Sequence, residues 1–555
     1  GMVTVAANSV ARIFNVTVGA SGAGELALSG SVSVNFMKED VQAQVTGGAD
    51  ITGQTGVNIA ATDSPVMLIV AGAGAGAGTA AVGLASATND IRSNVAAFVE
   101  GSGTSVTATA GDVQVQAGLR SNSDLPGSGT GISGARPDPG ADPLDSQIWA
   151  LTVAGAGAGE FAGAGALSLN WLRATVNAHI AAGAEVIANN GSVTVSAKDD
   201  SAVRSLAGGG AGAGTGGIGA AVSYNYLGGD PDHPGSGFAN TTKAYIEAAT
   251  VTAGALTVEA ISNGVINSYA LGLAGAGTFA GAGALSLNWI QKTVDAHVGN
   301  NATVTTTGDV TINANDASAI YSGAGQISGA GGTALGAVVA YNDIADNVSA
   351  SITSSNYSDI SVLAASGGTV GSAAVGLSGA GSAGVAGSSG ANIIANTVQA
   401  LIEGAGTTVS TDDSVLVQAL ARDTFNVYGG SAGLGLAVVG VGGTALVNQD
   451  DTDVIAAVRD GAAVSALGSV LGAAPGVSAL KWADDADGTQ SNQTVLGLVV
   501  EASSTESVET AAGTAGASAG TGIGINIIVN IINGSTTAEI NDAKINSSVK
   551  QGGDV

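Results

Sequence analysis

The stretch Val66–Ala85, VMLIVAGAGAGAGTAAVGLA, decides the fold that this sequence predicts. Glycine and alanine alternate strictly from Ala71 to Gly78, and a period of two predicts a β-strand, because successive strand side chains point to opposite faces. Both residues are poor strand formers by propensity. We therefore expect close approach to hold the stretch in place, with other sheets covering both faces and no room for a side chain at Gly76.

A membrane-spanning helix is the alternative for the same stretch. Twenty residues without a charge are long enough to cross a bilayer, and the GxxxG spacing used by helix dimers is present. However, glycine at every second position costs a helix about 1 kcal/mol per residue relative to alanine. The flanking segments also alternate with period two, so we expect strands and no membrane insertion.

The composition favours a repeat architecture over a single globular core. The 555 residues include 89 glycines, and 45% are hydrophobic but only 3% aromatic, so most apolar side chains are small. A quasi-one-dimensional repeat suits such side chains, because each unit covers only its neighbours. The net charge of −28 argues against nucleic-acid binding, which needs a basic face. The absence of cysteine excludes disulfides and Cys-ligated metals.

An asparagine closes each apolar stretch, and it repeats at intervals of 50–56 residues that lengthen to 63–82 where insertions occur. A segment with a central alanine between Val or Ile residues follows, as in Val294-x-Ala296-x-Val298. A Val-x-Val strand comes after the next turn. The repeated asparagines are Asn35, Asn89, Asn170, Asn225, Asn288, Asn342, Asn392, Asn448 and Asn530.

These units predict one all-β domain, a parallel and right-handed β-solenoid (β-helix) of about nine Gly/Ala-rich repeats. We place the solenoid at residues 12–548, between an end segment at 1–11 and a tail at 549–555. Insertions rich in Pro, Gly and Asp at 125–147, 228–240 and 468–492 are expected to leave the stack as loops.

Two features of the repeat stay open at this point. The repeated asparagine could form an internal ladder of amide hydrogen bonds, or it could be a simple turn residue. Each unit could be one wide coil, so that nine coils stack to about 43 Å, or it could wind two or three narrower coils over about 90–130 Å. We favour the wide coil, because no shorter period is visible within a unit.

The order of these elements resembles that of a known family. The Gly/Ala strand and its asparagine are followed by residues 176–180 (VNAHI), a turn and residues 191–197 (GSVTVSA). This order resembles the repeat regions of leukotoxin-family filamentous adhesins, which are large bacterial surface proteins of the autotransporter and two-partner secretion kind. The resemblance covers about Arg12–Ser548. It implies a secreted β-solenoid stalk at a bacterial surface, and it brings no catalytic motif to this chain.

Acidic clusters are the candidate metal sites. Asp484, Asp485 and Asp487 precede Gly488, as in half of a calcium loop, and hard oxygen ligands suit Ca²⁺. A second cluster, Asp450, Asp451 and Asp453, follows Asn448. Solvated acidic loops are the simpler interpretation of both clusters, so the expected cofactor is none, with Ca²⁺ as the alternative.

Other residues of types that occur in active sites or binding sites have a structural interpretation. Asp199 and Asp200, beside Lys198 and Arg204, form the local grouping closest to a glycosidase carboxylate pair, but adjacent strand residues point to opposite faces. His179 and His297 occupy the same unit position, which predicts a structural role on the outer face, and His233 lies in a loop. The Gly212-x-Gly214-x-x-Gly217 match to a dinucleotide motif is followed by a strand pattern, not by a helix.

The sequence therefore predicts a non-enzymatic structural or adhesive segment of a large secreted surface protein. The expected partners are surface glycans or proteins, and the chain is expected to be a monomeric part of a longer one. A polysaccharide-degrading β-helix enzyme is the alternative. A third interpretation is a scaffold that binds cations or ordered surfaces through threonines such as Thr303, Thr305, Thr306, Thr307 and Thr311.

Overall fold

The computed structural model describes residues 1–120, 146–228, 240–353, 360–411, 414–466, 477–482, 490–495 and 497–546. These residues form 38 β-strands and no helix. The strands of the first four coils are β1 (Val3–Ser9), β2 (Arg12–Ala23), β3 (Leu26–Val45), β4 (Asp50–Gly53), β5 (Gly56–Asp63), β6 (Val66–Ala77), β7 (Ala80–Glu100), β8 (Ser105–Ala108), β9 (Asp112–Leu119), β10 (Ile148–Ala158), β11 (Phe161–Ala181), β12 (Glu185–Asp199), β13 (Ala202–Ala213), β14 (Gly216–Gly228), β15 (Asn240–Glu247) and β16 (Thr250–Ser262).

The remaining strands continue the same pattern to the end of the described chain. They are β17 (Val265–Ala276), β18 (Phe279–Gly299), β19 (Thr303–Thr306), β20 (Val310–Asp316), β21 (Ala319–Ala330), β22 (Thr333–Ile344), β23 (Asn347–Ile352), β24 (Ile360–Ser366), β25 (Thr369–Ala380), β26 (Ala383–Ile394), β27 (Thr397–Glu403), β28 (Thr408–Thr411), β29 (Val415–Gly435), β30 (Val439–Asp450), β31 (Asp453–Arg459), β32 (Ala463–Ala466), β33 (Val477–Trp482), β34 (Gln490–Val495), β35 (Leu498–Ser518), β36 (Thr521–Ile532), β37 (Ser535–Asn541) and β38 (Lys544–Ile545).

Each sequence unit makes one wide coil, which confirms the wide-coil prediction and the parallel solenoid. The chain runs out along β6, reverses at Gly78 and Thr79, returns along β7, and closes through β8 and β9. The next coil then lies directly above, since β10 pairs in parallel with β6 and β11 with β7. Nine long strands continue this stack in the order β3-β7-β11-β14-β18-β22-β26-β30-β36.

The cross-section has two parts with different cores. One part, which we call the tube, is enclosed by the Val-x-Val strands and the second halves of the long strands, and it is filled by Val and Ile side chains such as Ile59, Val95 and Val115. The other part, which we call the fin, consists of β6-type strands packed against the first ten residues of the long strands. The apolar side chains of its interior are almost all alanine, including Ala154, Ala164 and Ala221.

The fin corrects the expectation that other sheets cover both faces of the Gly/Ala strands. Ala71, Ala73 and Ala75 of β6 point inward and are buried, whereas Gly76 points outward and is exposed. A Cβ atom added at Gly76 would meet nothing within 4 Å, so the prediction for this residue was wrong. The alternation does encode a strand, but only its alanine face is covered.

The glycines without room for a side chain lie on the inner faces of the fin instead. A Cβ atom at Gly219 would overlap the carbonyl oxygen of Leu273, and one at Gly209 would overlap that of Ala220. Because these obstacles are backbone atoms, they cannot be moved by a change of rotamer. The two layers therefore approach each other as closely as backbones allow at these inward glycines.

The predicted boundaries need two changes, and the helix alternative is excluded. β1 pairs in register with β5, so the solenoid already includes Val3–Ser9 of the proposed end segment. β33 and β34 form an antiparallel pair that begins within the segment predicted as the loop 468–492 and ends three residues beyond it, at Val495. Val66–Ala85 forms β6 and part of β7, and no helix in the described ranges is long and apolar enough to cross a membrane. The other two predicted insertions and the tail fall almost wholly outside the described residues.

Candidate functional site

A continuous asparagine ladder marks the border between the fin and the tube. The side-chain amide of each repeated Asn donates a hydrogen bond to the side-chain oxygen of the next, with N–O distances of 2.7–2.9 Å in all eight steps from Asn35 to Asn530. Asn89, Asn170, Asn225 and Asn288 have no exposed surface. Of the two sequence interpretations, the ladder is the correct one, because a simple turn residue would lie at a corner and not within a strand.

Serine hydroxyls join the ladder across the two layers of the fin. Asn225 also donates to Ser223 and Ser268 at 3.1 and 2.9 Å, and Ser268 is 2.8 Å from Ser286. These contacts give the second amide hydrogen of the buried Asn225 an acceptor as well. This network of asparagine and serine side chains holds the two layers of the fin in register at its base.

The outer surface of the returning layer is the first of two candidate interaction faces, and we call it the long-strand face. It consists of the outward residues among the nine that precede each ladder asparagine, and none of these 81 residues is Asp, Glu, Lys, Arg or His. Large apolar side chains are exposed here: Leu28 by 63%, Leu84 by 57% and Ile218 by 45%. A depression of about 560 Å³ between coils one and four is lined by Gly30, Val32, Leu84, Gly165, Leu167 and Val222 among others.

The outer surface of the β6-type strands is the second candidate face, and we call it the fin-strand face. It is more mixed, because Arg204 and Glu509 lie at its base. A depression of about 310 Å³ is lined by Trp149, Arg204, Leu206, Asn267, Tyr269 and Tyr321 among others. The ring of Tyr269 lies over Gly323 of the next coil, since a Cβ atom at Gly323 would come within 2.8 Å of it, and half of Tyr269 is exposed.

Two aromatic ladders run up the outside of the long strands. Trp171, Tyr224, Trp289 and Tyr341 have successive ring-centroid distances of 5.7, 5.0 and 5.2 Å. Further along the strands, Phe98, His179, Tyr245 and His297 stack almost parallel at 4.9, 4.7 and 5.2 Å. The second ladder confirms the prediction that the two histidines share a structural position on the outer face.

The two histidines of this ladder differ in their acidity. Burial lowers the pKa of His179, although the Glu100 carboxylate lies within hydrogen-bond distance of its Nε2 atom, at 2.8 Å, and acts in the opposite direction. Burial acts the same way on His297, but the hydrogen bonds and charges of Asp295 and Glu247 outweigh it and leave the pKa of His297 raised. The Nδ1 and Nε2 atoms of His297 both lie 3.1 Å from a carboxylate oxygen. His297 is therefore the more readily protonated of the two.

The grouping closest to a carboxylate pair lies inside the tube. Lys198, Asp199 and Asp200 are at most 5% exposed. Asp199 faces the ammonium of Lys292 at 2.9 Å, whereas Asp200 accepts from Asn263 at 2.7 Å and lies 3.3 Å from the Lys198 ammonium. These buried carboxylates pair with interior side chains, so they are not positioned to contact a polysaccharide.

Asp199 is part of a buried polar row that the sequence did not predict, and we call it the acid seam. It runs along the border between the tube and the fin, and it comprises Asp63, Asp199, Lys292, Asp316, Asp346, Asp423 and Asp450, all at most 3% exposed. Burial raises the pKa of Asp63 to about 6, and burial together with the charge of Asp450 raises the pKa of Asp423 to about 7. The charges of Asp199 and Asp316 raise the pKa of Lys292 in spite of its burial.

The proposed calcium sites find no support in the described residues. Asp450 points inward and accepts from the Thr452 amide at 3.0 Å, whereas Asp451 pairs with Gln449 and Asp453 with Ser535. No group of three or more acidic or histidine side chains that could hold a metal occurs in the described ranges. Asp484, Asp485 and Asp487, as well as His233, lie outside the described residues, so the main calcium prediction stays a prediction.

Two further sequence interpretations can be located in the structure. The Gly212–Gly217 segment forms the turn between β13 and β14, in agreement with the strand interpretation and not with a nucleotide loop. Among the threonines, Thr311 is in register with Thr257, and Thr257 with Thr194, which gives a row of three coils. Thr303 and Thr305 are in register with Thr250 and Thr252 over two coils only.

The two fin faces were missed at the sequence level, although a signal was present. Counting charged residues by register shows that the nine positions before every ladder asparagine lack them, whereas the segments after most of these asparagines contain charges such as Lys38 and Arg92. A charge-free segment of this kind is usually taken to be buried on both sides. Here one of its two faces is exposed.

No family model, no curated protein and no solved structure shows a significant match to this chain.

Proposed function

We propose that this chain is a structural and adhesive segment of a large secreted bacterial surface protein, and that the fin-strand face contacts surface glycans or proteins. Nine parallel coils, joined by backbone ladders and by the asparagine ladder, give a stiff body that can hold such a face at a distance from the cell.

The exposed apolar side chains of the fin support this proposal. Soluble monomeric proteins rarely expose contiguous apolar patches larger than a few hundred Å², and larger patches generally mark interaction sites. On the fin-strand face, Val153, Leu206, Tyr269, Leu271, Ile327 and Leu377 are all 39–52% exposed. Their alignment over several coils makes the patch continuous along the stack.

The depression around Tyr269 suggests the chemistry of the partner. Sugar rings present apolar C–H faces that pack on aromatic rings and hydroxyl groups that hydrogen-bond to amides and guanidinium groups. Tyr269, Trp149 and Tyr321 supply the rings, and Arg204 and Asn267 supply the polar atoms. Arg204 also gives this strongly acidic chain a positive charge at the depression, which favours acidic glycans or acidic protein segments.

Adhesion of the purified chain tests the proposal. Beads coated with the chain should bind to epithelial cells or to a glycan array well above beads coated with albumin. Tyr269→Ala should reduce binding several-fold, because it removes the most exposed ring of the depression. Tyr428→Ala is the matched control, since Tyr428 is 45% exposed on the same face but outside the depression. Binding no better than that of albumin beads would exclude an adhesive role.

A further inference from the structure

We infer that the long-strand face is a homodimer interface on which a second copy of this chain packs, so that the two fins lie back to back. The inference deepens the proposed function and rests on it in one respect: the dimer would leave two fin-strand faces exposed for adhesion. Three observations support the second copy as the occupant: the size of the face, its lack of charge and its shape.

The size of the face matches what a stable dimer needs. Nine strands spaced about 4.8 Å apart and nine residues rising about 3.3 Å each give a flat footprint of roughly 1,300 Å². A standard stable interface buries about 800 Å² per partner. A second copy can therefore use a little over half of the face and still form a stable dimer.

The lack of charge is specific to this half of the long strands. Of the 45 outward positions, five are Ser or Thr (Ser86, Thr88, Thr333, Ser389 and Thr521), two are Tyr (Tyr224 and Tyr341), and the others are Gly, Ala, Val, Leu, Ile or Phe. Burying this face against an identical one leaves no charged side chain unpaired, and few polar groups need a hydrogen-bond partner. The fin-strand face, with Arg204 and Glu509, lacks this property.

The shape of the face is suited to self-packing. Outward glycines such as Gly30 and Gly165 leave the depression between coils one and four, whereas Leu335 on coil six and Ile525 on coil nine project and are 41% and 55% exposed. A two-fold axis that lies in the interface and runs parallel to the strands places the upper coils of one copy opposite the lower coils of the other. Projecting side chains of each copy then meet the depression of its partner, as an isologous interface requires.

The net charge predicts how the dimer responds to salt. Each copy carries a charge of −28, which lies outside the interface but still repels the other copy. Raising the salt concentration shortens the Debye length from about 10 Å at 0.1 M to about 3 Å at 1 M and so weakens this repulsion. Salt also strengthens apolar contacts, so the dimer should tighten with salt, whereas a charge-mediated interface would loosen.

Sedimentation equilibrium of the full chain tests the inference. The wild type should sediment at twice its mass of 52.5 kDa at micromolar concentration, and more completely at 0.5 M than at 0.05 M NaCl. Leu84→Lys should raise the dimer dissociation constant about a hundredfold or more, because two-fold symmetry buries two unpaired ammonium groups. Leu335→Lys, on a distant coil, should act in the same direction and serves as a second variant if Leu84→Lys does not fold.

Leu206→Lys is the matched control, because Leu206 is 43% exposed on the fin-strand face and lies outside the interface. The inference is overturned if the wild type stays monomeric at 100 µM, or if Leu206→Lys dissociates the dimer as much as Leu84→Lys does. A monomer that binds lipid vesicles through Leu84 would assign the face to a membrane surface instead. Because dimerisation is measured without cells, its failure leaves the adhesion experiment intact, and loss of adhesion with an intact dimer would reject only the proposed function.

Discussion

At the residue scale, the direction in which a glycine faces decides its role in the fin. Inward Gly219 lies against the carbonyl groups of Leu273 and Gly209, whereas outward Gly76 has open space on its side. Both sit in the same kind of Gly/Ala strand, and local sequence does not distinguish them. The position relative to the ladder asparagine does, because Gly219 has the same parity as Asn225 and Gly76 has the opposite parity to Asn89.

Gly219→Ala and Gly76→Ala should therefore have opposite effects on stability. The methyl group at Gly219 would have to push two backbones apart, which typically costs about 1–3 kcal/mol or more. At Gly76 the substitution should be neutral or stabilise by up to about 1 kcal/mol, because glycine within a strand is entropically unfavourable. Urea unfolding followed by circular dichroism checks both variants. Equal midpoints for the pair would contradict the close packing of the fin layers.

At the element scale, the asparagine ladder determines how the coils stack. Because Asn225 is part of a strand paired residue by residue with the coils above and below, its amide meets the same amide in each neighbour. A shift of one residue would point every ladder asparagine outward and every outward glycine or leucine into the interior of the fin. The ladder thus fixes the register of nine long strands with a single residue type.

Asn225→Leu should strongly destabilise the coils around it. The substitution removes the Asn225 acceptor of the Asn170 amide, which keeps only its bond to Ser168, and leaves the side-chain oxygen of Asn288 without its donor in a fully buried site, at a cost of about 2–5 kcal/mol. Hydrogen exchange should show faster opening of β11, β14 and β18 than of β26. Asn94→Ala removes a surface contact to Asp40 in the neighbouring coil and is the control, with an expected change below about 0.5 kcal/mol. Unchanged protection in the Asn225 variant would contradict a structural role for the ladder.

The same elements explain what sequence could and could not predict. The period of two and the recurrence of asparagine were sufficient for the parallel strands and the wide coil, because the register follows directly from the repeat. Alternation does not reveal whether a second sheet covers the glycine face, so the exposure of Gly76 was missed. The acid seam was missed because its members come from different strands and meet only across the tube, as Lys292 and Asp199 do.

At the scale of the whole molecule, the acid seam gives the solenoid an unusual response to pH. Asp63 has a pKa of about 6 and Asp423 of about 7, both raised mainly by burial. In the unfolded chain these carboxyls titrate near 4, so between pH 4 and pH 7 the native state binds more protons than the unfolded state. The free energy of unfolding therefore falls as the pH rises through this window. Self-repulsion of a chain with a net charge of −28 acts in the same direction.

Urea midpoints of the wild type should thus decrease from pH 5 to pH 8. Asp423→Asn keeps the size of the side chain and an oxygen that can accept from the Gly368 amide, but it removes the buried charge and its repulsion from Asp450. This variant should be more stable than the wild type at pH 8, by on the order of 2–4 kcal/mol, and should show a shallower decrease above pH 6. Asp309→Asn makes the same charge change at an exposed position and should leave the slope unaltered. A midpoint that rises from pH 5 to pH 8, or equal slopes for the two variants, would show that the buried carboxyls do not control the stability of the stack.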